Sequence, residues 1–183
     1  MRTQSGTAGF TLIELLVVVA LVAILQSLAT PALSAIVNSI QLTTAVNSLL
    51  SSLHLARSEA AKHNTRAVVC KSASGDACTT TGGWEQGWIV FHDHNNNAAL
   101  DADETVLLRQ QALPPEVLLK GNMPVANYLS FTPVGTTRYI SGAFQAGTLT
   151  VCQHSATRTD ARQLVISSSG RPRTVRTTVD SCS

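Results

Sequence analysis

From Phe10 to Ala29 the chain is apolar almost without interruption, with Glu14 and Gln26 as the chief exceptions. A helix rises about 1.5 Å per residue, so a run of this length matches a hydrocarbon core roughly 30 Å thick. The stretch therefore reads as a membrane-spanning helix, and the Ser-, Thr-, Asn- and Gly-rich remainder must fold outside the bilayer. A carboxylate inside such a span is expensive and is ordinarily retained only where it has a partner. Glu14 is that carboxylate.

The order of the N-terminal features is equally constraining. In a secretory signal the small-residue cleavage site follows the apolar region, which is then discarded. Here the polar leader, residues 1–9, comes first and ends in Gly9, so cleavage there leaves the apolar run attached. The helical pattern also continues past the span. Ile36, Ile40, Thr43, Val46, Leu50, Leu53, Arg57 and Ala60 recur every three or four residues and predict an amphipathic half whose apolar stripe packs on a folded domain. A helix is expected over residues 11–62, with a kink or local break near Ala29 because Pro31 removes a backbone donor.

After His63 and Asn64 the pattern changes to short β-like runs separated by turn residues: 66–71, 87–92, 105–110, 117–119, 127–132, 147–153, 162–167 and 173–179. No helical crossover lies between them, which favours antiparallel meanders. The fold class is thus α+β, a long N-terminal helix packed on antiparallel sheet. The expected division is a leader at 1–9, a hydrophobic helix at 10–35, an amphipathic half at 36–64 and a β domain at 65–183. Cys70, Cys78, Cys152 and Cys182 lack the CxxC spacing of a zinc site and, behind an export signal, read as two disulfides. Proximity pairs Cys70 with Cys78 and leaves Cys152 with Cys182, one of the three connectivities open to four cysteines.

Gly9-Phe10-Thr11-Leu12-Ile13-Glu14 resembles the signature of type IV pilins and pseudopilins. The resemblance implies cleavage after Gly9 by a prepilin peptidase, N-methylation of Phe10, and pairing of Glu14 with the N-terminal amine of a neighbouring subunit during assembly. It also implies residence in the bacterial inner membrane before display in a periplasmic or extracellular pilus. Further segments resemble the GspH/FimT family of minor pilins and pseudopilins: Leu55-Ala56-Arg57-Ser58-Glu59-Ala60, Val69-Cys70, Trp84-Glu85-Gln86-Gly87-Trp88-Ile89-Val90-Phe91, and the stretch from Val165 to Arg173. Trp84, Trp88 and Phe91 are expected in the core.

The net charge of +2 conceals an asymmetry. Residues 72–120 carry −5, whereas residues 121–183 carry +4 through Arg138, Arg158, Arg162, Arg171, Arg173 and Arg176, a basic region suited to an anionic partner. Within it, Gly170-Arg171-Pro172-Arg173 matches a GRxR sequence that, in FimT-type minor pilins of naturally competent bacteria, is associated with DNA binding during uptake. Gly170 permits a tight turn, Pro172 holds Arg171 extended, and period-two alternation sends Arg171 and Arg173 to one side. Two neighbouring guanidiniums suit successive phosphates. Arg176 has the opposite parity and is a secondary candidate, with Ser169 adding a hydroxyl and Arg158 or Arg162 widening the patch.

Residues 93–104 place oxygen ligands at EF-hand spacing, but Ala98 stands where the loop needs glycine, and an Asn/Asp-rich turn needs no metal. His92-x-His94 is a weak metal spacing. No Walker loop, GxSxG sequence or nucleophile with a base is present, so neither catalysis nor a cofactor is expected. The leading reading is a DNA-binding minor pilin of a type IV pilus active in natural transformation. The alternatives are a minor pseudopilin of a type II secretion system without DNA binding, and a minor pilin that primes assembly and uses the arginines for protein contacts.

Overall fold

The computed structural model describes residues 9–183, apart from the side chains of residues 27–32. Most of the leader, and the break expected near Ala29 from Pro31, lie outside the described residues. Helix α1 spans Leu12–His63. Its first turn closes reciprocally: the Glu14 N–H donates to Thr11 Oγ1 at 3.3 Å and the Thr11 N–H donates to Glu14 Oε2 at 3.4 Å. Thr-x-x-Glu is a capping box, which satisfies two backbone donors that the helix itself leaves open. At the other end Asn64 takes a left-handed φ of 51°, a helix-terminating conformation, and the chain turns into the first strand.

Two compact units divide within α1, Met1–Ser39 and Ile40–Ser183. In the first, the large apolar side chains described from Phe10 to Leu25 are exposed. In the second, α1 buries Leu42, Ala45, Val46, Leu49, Ser52, Leu53, Ala56 and Ala60. This stripe corrects the one read from periodicity, since Ile36 and Ile40 are more than half exposed and Thr43 is exposed. Val46, Leu53 and Ala60 do lie on the buried face, which is completed by Leu42, Ala45, Leu49, Ser52 and Ala56 rather than by Thr43, Leu50 and Arg57.

Eight strands follow in the described residues: β1 (Arg66–Lys71), β2 (Trp88–Asp93), β3 (Val106–Gln110), β4 (Val117–Gly121), β5 (Tyr128–Phe131), β6 (Gly147–Gln153), β7 (Thr159–Ile166) and β8 (Pro172–Val179). They form two four-stranded antiparallel sheets, ordered β3-β2-β1-β5 and β4-β6-β7-β8. β4 enters the second sheet and β5 returns to the first, so the connection is not a simple meander. β7 begins earlier than its apolar pattern suggests, because Thr159 and Asp160 pair with Val179 and Thr178.

The buried stripe of α1 and the facing sides of both sheets share one core, including Trp84, Trp88, Val90, Leu119, Phe131, Leu149 and Leu164. Burying each large side chain contributes about 1.5–3 kcal/mol. The indoles keep hydrogen-bond partners there: Trp88 Nε1 donates to Ser52 Oγ at 2.9 Å and Trp84 Nε1 to the Val125 carbonyl at 3.1 Å. Alternation sends Ile89 and Phe91 to the other face of β2, where they pack with Val68, Cys70, Cys78 and Leu100. The Cys70–Cys78 disulfide belongs to this outer cluster, while Cys152–Cys182 ties β6 to the C-terminal segment over Ala161.

Candidate functional site

The Gly170-Arg171-Pro172-Arg173 segment lies at the turn between β7 and β8. Ile166 pairs with Pro172, and the intervening turn closes through Gly170 N–H to the Ser167 carbonyl at 2.8 Å. Gly170 has φ +72° and is buried, and a Cβ placed on it would collide with the Gly135 carbonyl oxygen. Glycine is therefore demanded twice, by the left-handed backbone and by the approach of another loop. Ser167, Ser168 and Ser169 are exposed at the tip, with the Ser167 and Ser169 hydroxyls 2.8 Å apart.

The six arginines of the basic region separate by environment. The guanidinium of Arg138 sits 4.2 Å from the centre of the Phe144 ring and donates to the Gly142 carbonyl at 2.7 Å. Arg158 donates through Nε and a terminal nitrogen to Thr178 Oγ1. Arg162 is buried and donates to the Ala161 carbonyl at 3.2 Å. Arg171, Arg173 and Arg176 are exposed. The register puts Arg173 opposite Val165, whereas Arg176 lies opposite Arg162, in line with Leu164 and Ile166 on the face that carries the core. There Arg162, Thr174 and Arg176 join Thr43, Val46 and Asn47 of α1 around a cavity of about 270 Å³. β8 is an edge strand, a place where arginines and a proline also discourage pairing with another chain.

The GspH family model, described as type II transport protein, matches residues 45–170, and the model of the prokaryotic N-terminal methylation motif matches residues 4–28. The chain belongs to the GspH family. Two crystal structures of the type IV minor pilin FimU from Pseudomonas aeruginosa share its fold. One, at 20% identity and TM-score 0.56, covers 79% of this chain and 97% of that one. The other, at 21% identity and TM-score 0.54, covers 78% and 100%. No curated protein matches the chain. This GspH-family protein is a minor type IV pilin or pseudopilin, a structural subunit processed by a prepilin peptidase. It is held in the inner membrane by its apolar helix and then incorporated into a pilus with other pilin subunits.

The family match ends at Gly170, so Arg171, Arg173 and Arg176 lie beyond it. At the N-terminus, Gly9 and Phe10 stand exposed just before α1, and Glu14 caps the first turn. The signal for that cap in the sequence is Thr11-x-x-Glu14, the spacing of a capping box. In the loop 93–104, Asp93, Asp101 and Glu104 are turned onto donors of the loop itself. Asp93 accepts the Asn97 and Ala98 N–H groups, Asp101 the Asn95 and Asn97 amides, and Glu104 the His94 and Asp101 N–H groups. Sequence reading also missed the meeting of Glu59 and His63, one helical turn apart, with His92 of β2. Only the Glu59-x-x-x-His63 spacing hinted at it.

Proposed function

We propose that this subunit is a minor type IV pilin that binds duplex DNA without sequence preference through Gly170, Arg171 and Arg173 and contributes to DNA uptake in natural transformation. The observation carrying this reading is a pair of exposed arginines, Arg171 and Arg173, at the base of a hairpin tip whose glycine is locked against a second loop. A rigid support lowers the entropy cost of engaging phosphates. Ser169 adds a hydroxyl at the tip, and Arg176, on the other face of β8, contributes less. Phosphate contacts position a duplex without reading its bases. The same reading takes Gly9–Phe10 as the cleaved bond, Phe10 as the methylated residue and Glu14 as the partner of a neighbouring subunit's amine.

A second reading, a minor pseudopilin of type II secretion without DNA binding, is favoured by the description of the matching family. Titrating residues 40–183, which contain the entire buried core, with duplex DNA at two salt concentrations separates the two. Salt-sensitive binding that weakens in Arg171→Gln and Arg173→Gln supports the pilin; binding that is absent, or unchanged in both variants, leaves the pseudopilin.

A further inference from the structure

Where the C-terminal end of α1 meets the end of β2, three side chains converge that can each offer a metal ligand. Glu59 Oε2 lies 3.3 Å from His63 Nε2 and 3.6 Å from His92 Nε2, and one ligand atom from each of the three stands within 4.8 Å of the others. Donors about 2.1 Å from a tetrahedral zinc ion are roughly 3.4 Å apart. The two carboxylate separations therefore already suit an ion. Any remaining closure falls to His63, whose side chain is 48% exposed and has room to rotate.

His92 supplies an independent indication. Its side chain is only 9% exposed, its Nδ1 is buried with no hydrogen-bond partner among the described residues, and Nε2 faces Glu59 at a distance too long for a hydrogen bond. An ion between that Nε2 and the carboxylate would give the nitrogen facing Glu59 the partner it lacks. Burial first, and then the charge of the facing His63, hold His92 below its ordinary value of 6.5. Lys62 Nζ lies 3.4 Å from Glu59 Oε1, the oxygen not aimed at the histidines, so the two carboxylate oxygens have separate tasks. The ring of His94 lies 6.0 Å from that of His92.

We propose that Glu59, His63 and His92 bind a divalent transition ion of the zinc class, with the remaining coordination position open to water or an outside donor. Imidazole and carboxylate donors suit Zn²⁺, Co²⁺ and Ni²⁺ better than Ca²⁺ or Mg²⁺. The ion staples the last turn of α1 to β2. Affinity is moderate, because the outer hydrogen bond that usually orients a ligating imidazole, worth about 10–100-fold, is missing at His92 Nδ1.

The untagged full-length protein in detergent micelles, stripped by a chelator, is titrated with Co²⁺ while visible absorption is followed, and its thermal unfolding is then measured with Zn²⁺. The expected result is saturation at a single equivalent with a tetrahedral d–d band, displacement by Zn²⁺, and a raised Tm. Glu59→Gln and His63→Gln each weaken binding at least about tenfold and lose the rise in Tm. His63 is on the surface, so His63→Gln keeps the Tm of the metal-free protein and tests the ligand rather than the fold. No cobalt band in the wild-type protein, or equal affinity in His63→Gln, overturns the proposal.

Discussion

Gly170 lays its bare α carbon against the carbonyl of Gly135, joining the β7–β8 turn to the turn that follows β5. Gly170→Ala meets both a left-handed φ of +72° and that carbonyl. The expected loss of stability is about 2–5 kcal/mol, the sum of the backbone and overpacking costs. Chemical denaturation of residues 40–183 measures it, and a loss below about 0.5 kcal/mol would contradict the close packing described.

The three exposed arginines of β8 should not contribute equally to nucleic-acid binding. Replacing Arg171 or Arg173 by Gln is expected to reduce the slope of log affinity against log salt by about 0.9 each, with stability unchanged within about 0.5 kcal/mol. Arg176→Gln changes the slope less, because its register places it on the opposite face. Equal effects from all three would show that facing does not matter and that the strand acts only as a diffuse charge.

Among the described residues, Ser52 is the only polar side chain on the buried stripe of α1, and it accepts the buried Trp88 indole N–H. Ser52→Ala orphans that donor at an expected cost of about 1–3 kcal/mol. In a Trp88→Phe background the same substitution should cost much less, since the donor is already gone. A double-mutant cycle with no coupling would rule out this bond as a stabilising contact.

Glu14 caps the first turn of α1, a pairing with a neighbouring subunit's amine is proposed for it as well, and one substitution distinguishes the two. Glutamine can replace glutamate in a capping box, so Glu14→Gln keeps the reciprocal bond to Thr11 while removing the charge. If Glu14 pairs with a neighbouring amine, filament incorporation, scored by immunoblotting sheared pili, falls sharply although the protein accumulates normally in the membrane. Normal incorporation would leave Glu14 as a helix cap alone.

The two disulfides close loops of unequal length, 30 residues for Cys152–Cys182 and 8 for Cys70–Cys78. Loop-closure entropy assigns them about 3.6 and 2.5 kcal/mol. Paired Cys→Ser variants at each bridge should reproduce that order in urea midpoints. The reverse order would mean that the loop packed beside Cys70 and Cys78, rather than chain entropy, sets the cost.

Much of the architecture follows from local pattern. The apolar run and the three-to-four-residue pattern beyond it specify a helix, and alternation with turn residues locates all eight strands to within a few residues, because each is dictated by periodicities that neighbouring residues share. The early start of β7 was not legible, since Thr159 and Asp160 are strand only by virtue of the partners opposite them. The buried face of α1 beyond Ile40 was legible only in part: Val46, Leu53 and Ala60 were, whereas Ala45, Ser52 and Ala56 are buried because the sheets cover them.

By itself, then, the sequence determined an exported subunit with an apolar helix, a carboxylate within it and an antiparallel β domain behind it. Only the tertiary structure decided which arginines donate within the fold, as Arg138, Arg158 and Arg162 do, and which face of β8 carries Arg173 and which Arg176. It alone brought Gly170 to Gly135 and placed Glu59, His63 and His92 around one point. Spacing along a helix or strand depends on backbone geometry fixed within a few residues, whereas these meetings depend on how a helix and two sheets pack, which no local period encodes.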